Sequence, residues 1–447
     1  MTAMAIANTD HALATTPRLV RVFFGFFCLV LAGYVIFGKD FAYLGFPPLY
    51  IGEMALALGA LTALMAGNLI SAILNLPGLA LALLMLWTAH RTIPYWNQYG
   101  LDAPRDAMIV FYGLFAYVIA SLVLQRPATL LLLLERYKRF ISYTVFLSPI
   151  IVALGLFTPL LGFGPKVADV ACHLAAIFAF ALIGFIRLRP LAFVVILLIE
   201  LFAFTQTREA MVAFAVACTL ATTFSLDGRA PRRISACIGV CAIVLGILFV
   251  LDFKIASDLR RPVSVRQSVE NATSIFAGSD SNDVTKEWRL NWWSDIINYT
   301  VHGPYFWTGK GFGPNLADTD GYQTSGTDEA PLRSPHNAHM TILARGGVSE
   351  LVLWISALGS WLVAVVRQLM EARRLRDNWW AGIFAFLLTY WTTIVIAGSF
   401  DVVLEGPVMG VWFWTIHGIG LACLVLHRHR AEMLQGPRFR AKAPFTG

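Results

Sequence analysis

The sequence predicts an all-α polytopic membrane protein with about twelve transmembrane helices and one long extracytoplasmic loop that contains short helices. Three observations carry that expectation. Of 447 residues, 57% are hydrophobic and only 14% charged, against about 25% charged in soluble domains. Apolar runs of roughly 18 or more residues recur, the length that crosses ~30 Å of hydrocarbon. Lysine and arginine are also split unevenly between alternate loops.

The apolar runs fall at 19–37, 48–66, 72–89, 108–125, 140–158, 167–186, 190–207, 209–225, 233–252, 346–366, 379–397 and 406–426. The first follows a polar segment ending in Pro17-Arg18 and lacks a small-residue cleavage site, so it reads as a retained helix and not a signal peptide. With the N-terminus in the cytoplasm, twenty lysines and arginines fall inside, among them Arg126, Arg136, Arg139, Arg187, Arg189, Arg373 and Arg440. The short outer loops hold five: Lys39, Arg91, Arg105, Lys166 and Arg208. Both termini are then cytoplasmic. The +7 net charge is a topology signal, and no nucleic-acid motif accompanies it.

Three regions follow. Residues 1–252 form an N-terminal membrane bundle of nine spans, 253–345 an extracytoplasmic loop, and 346–447 a C-terminal bundle of three spans with a cytoplasmic tail. All six cysteines lie inside predicted spans, so no disulfide framework is expected. Cys237 and Cys241 share a helix face, but two ligands do not make a metal site. Neither metal nor cofactor is expected.

In the loop, "DVTKEWRLNWWSDIINYTVHGP" (283–304) reads as a helix, with Trp288, Trp292, Ile296 and Tyr299 at helical spacing and His302-Gly303-Pro304 as its stop. Two readings remain open. The helix lies on the membrane with its tryptophans at the interface, or Trp292 and Trp293 form an aromatic platform for sugar rings beside Arg289. "GKGFGPN" (309–315) is not a phosphate loop, because Lys310 is misplaced and no Ser or Thr follows it. A turn that lets backbones approach closely accounts for its glycines. "DTDG" (318–321) lacks the later ligands of a calcium loop.

The polar groups gather on the outer face. Arg208 stands where the seventh span hands over to the eighth, and an arginine so close to hydrocarbon is expensive unless paired or wet. His336 and Asn337 precede the tenth span, with His339 three residues on. Two fixed guanidiniums can clamp a diphosphate bidentately. A histidine near neutral pKa can take a proton from a hydroxyl. Together Arg208, Arg289 and His336 suit transfer from a diphosphate-linked donor to an alcohol, with arginines neutralising the leaving group.

Four stretches in this order resemble the O-antigen ligase and polysaccharide polymerase superfamily: "TQTRE", "RLNWW", "PYFWTGKGFG" and "SPHNAHMTILARGGVSELVLW". They span roughly 205–355. They depart from the family pattern at Thr207, at Arg345 where a glutamate is common, and at Ser349-Glu350. The resemblance implies a bacterial inner-membrane glycosyltransferase of the GT-C type, working on the periplasmic face without metal. It implies a donor glycan on undecaprenyl diphosphate and an acceptor sugar hydroxyl on lipid A-core or on another glycan. Carried over by motif, Arg208 and Arg289 would hold the diphosphate, and His336 would act as base. Asn337, Trp292 and Trp293 are candidates for acceptor or sugar binding. A transporter or flippase of lipid-linked oligosaccharides is the alternative. That class favours broken helices and midplane charges, and Glu200, inside the seventh span, leans that way.

Overall fold

The computed structural model describes residues 17–157, 165–250, 283–323 and 331–435, together with 264, 267–269 and 271. The polar first segment, Arg438, Arg440 and Lys442 of the tail, and much of 251–282 lie outside the described residues.

Helices dominate. The N-terminal part holds α1 (Arg18–Phe37), a short hairpin of β1 (Gly45–Phe46) and β2 (Leu49–Tyr50), α2 (Ile51–Ala66), α3 (Leu76–Thr92), α4 (Asp102–Phe111) and α5 (Leu114–Gln125). Next come α6 (Ala128–Phe157), α7 (Val167–Ile183), α8 (Pro190–Gln206), α9 (Arg208–Thr223) and α10 (Ala230–Val250). The long loop contributes α11 (Asp283–Thr300) and the one-turn α12 (Leu316–Asp320). The chain ends in α13 (Ala338–Arg374), α14 (Asn378–Phe400) and α15 (Pro407–Gln435).

Among the described residues each predicted apolar run overlaps one or two of these helices, but the span count is coarser than twelve. Five helices among the described residues are long and apolar enough to cross a membrane, or six if α4 and α5, bent by 40° at their junction, make one span. Helices α2, α7 and α8 are apolar but only 16–17 residues long, about 25 Å at 1.5 Å per residue. Helix starts follow local chemistry. The Asn75 side chain caps α3 by accepting from Gly78 N–H at 3.0 Å, Asp377 caps α14 through Trp380 N–H, and Pro190 opens α8. A short polar acceptor satisfies N–H groups that have no partner inside the helix, and proline has none to leave unpaired.

The membrane core is continuous. Helix α15 packs along α5, α13 along α3, and both α7 and α9 reach α14. At its centre Trp361 is stacked 4.9 Å from Trp391 and 5.2 Å from His417. Its indole N–H donates to the His417 carbonyl at 2.9 Å, as a buried indole requires.

The long loop has a core of its own, built from Trp292, Ile296, Leu316, Ala317, Leu343 and Ala344. The apolar stripe of α11 is therefore spent on this core. It is seated on α13 at a break, where Gly347 leaves helical geometry with φ 73°. The glycine-rich turn repairs the break. Val348 N–H donates to the Phe306 carbonyl at 2.7 Å, while Lys310 and Gly311 N–H donate to the carbonyls of Ala344 and Arg345 at 2.8 Å each. Only glycines permit this approach: a Cβ on Gly309 would sit 2.3 Å from the Arg345 carbonyl carbon, and one on Gly347 2.5 Å from the Phe306 oxygen. The backbone proximity expected of this turn is thus its function in the fold.

A buried ion cluster locks the same junction. Arg345 pairs with Asp106 at 3.0 Å, with 2% and 5% of the side chains exposed. The same carboxylate accepts from Arg333 at 2.9 Å and from Gly313 N–H at 3.2 Å. Arg345 also donates to the carbonyl of Pro314 at 3.1 Å. The arginine that departs from the family pattern is a strut between α4, the glycine turn and α13.

Candidate functional site

The corner between α8 and α9 is a single extended residue, Thr207 (φ −141°), whose hydroxyl caps α9 by accepting from Ala210 N–H. Arg208 is thereby the first residue of α9, and Glu209, buried, the second. Asn271 of the long loop clasps this corner by donating to the carbonyls of Phe204 and Thr205 at 2.8 and 2.9 Å. Three helix N-termini meet at this end of the bundle: α7 after Lys166, α9 after Thr207, and α13 after Asn337. Each brings the positive end of a helix dipole.

His336 sits just before α13 with φ 53°. A side chain with a Cβ is rarely found there, and such strain gathers where a group must be aimed. Three side chains over-determine the turn. Trp293 donates its indole N–H to the Pro335 carbonyl at 2.8 Å. Asn337 accepts from His339 and Met340 N–H at 2.9 and 3.1 Å and donates to the Ser399 carbonyl at 3.0 Å. Glu405 takes the Thr341 hydroxyl at 2.7 Å and bonds Ser334. Burial pushes the Glu405 carboxyl up, and those hydroxyl bonds act against the shift.

Asp401, which ends α14, joins the pieces. One carboxylate oxygen lies 2.9 Å from His336 Nδ1 and accepts Val402 N–H at 2.8 Å, and the other lies 2.6 Å from Lys166 Nζ. Burial works to raise its pKa, but the His336 bond, the Lys166 ammonium and the Val402 N–H outweigh it and hold the carboxyl well below the usual carboxylate range. For Lys166, burial opposes the charge, yet Asp401 and Asp169 raise its pKa above the ordinary lysine value. An ionised Asp401 accepts only, so Nδ1 of His336 carries the hydrogen, and in the neutral imidazole that leaves the lone pair on Nε2.

Arg289 reaches the same place from α11, donating to the Phe400 carbonyl at 2.8 Å, one residue before Asp401. Glu209 lies within electrostatic range of Asp401, Asp169, Lys166 and Arg289. The fold therefore gathers His336, Arg289, Lys166, Asp401 and the start of α9, with Arg208 at that start.

The other predicted residues take different places. Trp292 is fully buried, stacked on Tyr322 at 5.1 Å with 5° between the rings, and its N–H is held by Asp320 at 2.7 Å. It offers no face to a sugar, because the loop core needs it. Trp293 and Asn337 hold the His336 turn through the bonds described. The aromatic edge nearest His336 is Trp288, 6.4 Å between centroids. His339 is satisfied on both nitrogens: it accepts from Trp354 Nε1–H at 2.9 Å, leaving Nε2 to donate to Ser399 Oγ at 3.1 Å.

Lys166 and Asp401 carry no motif. Their signal is positional: each is a charged residue close to the end of an apolar run. Among the described residues no group of three His, Cys, Asp or Glu side chains is arranged to hold a metal ion.

Residues 192–355 match the family model described as O-antigen ligase. The matched stretch contains Arg208, Arg289 and His336, while Lys166 and Asp401 lie outside it. Comparison with curated proteins gives no match.

Proposed function

We propose that this member of the O-antigen ligase and polysaccharide polymerase superfamily transfers a glycan from an undecaprenyl-diphosphate carrier to an acceptor sugar hydroxyl on the periplasmic face, in ligation or polymerisation of a surface polysaccharide. The observation that carries the reading is the His336–Asp401 pair, set beside Arg289 where three helix N-termini meet. In the proposed reaction the acceptor oxygen attacks the anomeric carbon while His336 Nε2 takes its proton. The bond between that carbon and the diphosphate oxygen breaks, and the diphosphate leaves with the electron pair. Asp401 keeps the tautomer and stabilises the imidazolium that forms. Arg208 and Arg289 neutralise the leaving diphosphate, supplying electrostatically what a divalent cation would otherwise supply.

The same proposal includes the GT-C arrangement, the twelve spans in three regions, the inner-membrane location and the cytoplasmic termini. Reporter fusions at about 130, 228, 275 and 372 should then read inside, inside, outside and inside. A cytoplasmic signal at 275 would put His336 on the wrong side of the membrane and sink the reading. A transporter would be expected to use a broken helix to hold substrate, whereas the break in α13 is filled by the backbone of 306–311.

The decisive test is transfer of a lipid-diphosphate-linked glycan by purified variants, with EDTA present. A positioned base contributes ~10²–10⁴-fold, so His336→Ala should lose that much while its protein level and donor binding stay near normal. His339→Ala, which removes a packing histidine on the next turn, should have a mild effect. Undiminished transfer by His336→Ala rejects the base. Equal, severe loss in both variants together with EDTA sensitivity points to a metal-binding pair instead.

A further inference from the structure

Far from the His336 cluster, a groove of about 540 Å³ opens between α1, α6, α14 and α15. Its walls are almost wholly carbon, with Leu133, Phe140, Phe386 and Ile416 among them, yet Arg136 and Arg139 line it too. On α14 it touches Ile383, Phe386 and Leu387. These lie 13–17 residues before Phe400, about 20–25 Å along the helix from the Asp401 end. By the lysine and arginine distribution this is the cytoplasmic half of the bundle.

Arg136, half-buried, is out of keeping with the walls, while Arg139 is exposed. Arg136 has a long 3.7 Å contact to the Cys28 thiol, a weak acceptor. The adjacent glutamate is taken by another cation, since Glu135 pairs with Lys138 at 2.7 Å. Among the described residues no carboxylate forms an ion pair with Arg136 or Arg139. A guanidinium against hydrocarbon is expensive unless an anion or water meets it. A phosphate on a lipid meets that need, because its oxygens match the guanidinium fork while its chains match the groove. The volume lies within the ~300–1,000 Å³ of ligand pockets, and basic pockets between spans on the cytoplasmic side are a general mode of anionic-lipid recognition.

We propose that this groove is a binding site for an anionic glycerophospholipid, with the acyl chains between α1, α6, α14 and α15 and the phosphodiester on Arg136 and Arg139. The site is separate from the proposed transfer chemistry, so its failure leaves that reading untouched. A lipid bound there would fill a gap in the packing between α6 and the rest of the bundle.

The test is lipid retention by the full-length protein in native mass spectrometry. The probes are dioleoylphosphatidylglycerol, dioleoylphosphatidylcholine and a polyprenyl monophosphate. Wild type should keep the anionic phospholipid over the zwitterionic one by about tenfold, as two arginine contacts allow. Arg136→Gln with Arg139→Gln should erase that preference, and Arg136→Lys with Arg139→Lys should keep part of it. Arg367→Gln with Arg374→Gln, which removes equal charge from exposed positions on α13, should leave it unchanged. Ala32→Trp, which fills the groove, should lower retention of both phospholipids. The proposal is overturned by equal retention of the two phospholipids, by loss of preference in the Arg367/Arg374 variant to the same degree, or by tenfold stronger retention of the polyprenyl phosphate.

Discussion

Two acid–base clusters stand at the two edges of the long loop, and they are built from similar parts. In one, Asp106 holds Arg345 with nearly all of both side chains buried. In the other, Asp401 holds His336 with 20% and 26% still exposed. In the first the carboxylate is closed in, meeting three arginines and a backbone N–H. The second uses one histidine nitrogen and leaves the other available, with Lys166 and Arg289 alongside. A closed cluster can only hold the fold together. A cluster with an open acceptor and neighbouring cations can also move a proton and meet an anion. The difference lies in which valences the fold has already spent, and similar residues take on unlike roles because of it.

The comparison can be broken most forcefully at its closed end. Asp106→Ala leaves Arg345 as an uncompensated buried charge, so it should lower stability by about 3–5 kcal/mol. Thermal unfolding in detergent measures this. A variant as stable as wild type but inactive would mean that the Arg345 cluster serves chemistry after all.

At the open end, Arg289→Ala and Arg208→Ala should each lower transfer by ~10²-fold with the fold retained. Lysine at either position should rescue only in part, because an ammonium cannot reproduce the planar fork. Normal transfer by an Arg208→Ala protein that inserts properly would remove Arg208 from the site.

A smaller effect is expected at the hinge of the comparison. Asp401→Asn should lower transfer by about tenfold or more, through a less well-held tautomer of the general base. It should also alter the acid limb of stability. The Asp401 pKa is depressed in the folded state, so its contribution is present above the unfolded carboxylate value of ~3.9 and is lost as pH falls toward the folded value. Wild type should therefore lose more stability than Asp401→Asn below about pH 4. Parallel acid titrations of the two proteins would show that Asp401 gains nothing from its partners.

Much of this protein was legible in one dimension. Hydropathy marks where helices run because a spanning segment must satisfy its backbone internally and show carbon to lipid, and within the described residues each predicted run is mostly helical. Ordered motifs marked Arg208, Arg289 and His336 because each is a polar group in a setting that makes polarity costly. Span number was less legible. Helices of 16–17 residues and a bent pair satisfy the same hydropathy without each being a full crossing.

What the tertiary structure alone decided is partnership. No periodicity links Asp401 to His336, 65 positions apart, or to Lys166, 235 apart. They meet because α7 and α13 begin where α14 ends, and that depends on how whole helices pack. Trp292 shows the same limit from the other side. Its helical spacing with Trp288 and Ile296 marks an apolar stripe, and a stripe is equally suited to lipid, sugar or protein. The loop folding back through α12 and Tyr322 turned it into core. Sequence by itself determines which groups are costly to leave unpaired. Which partner relieves each of them is set by long-range packing, because the energy of a charge or an apolar face depends on what lies within a few ångströms in space.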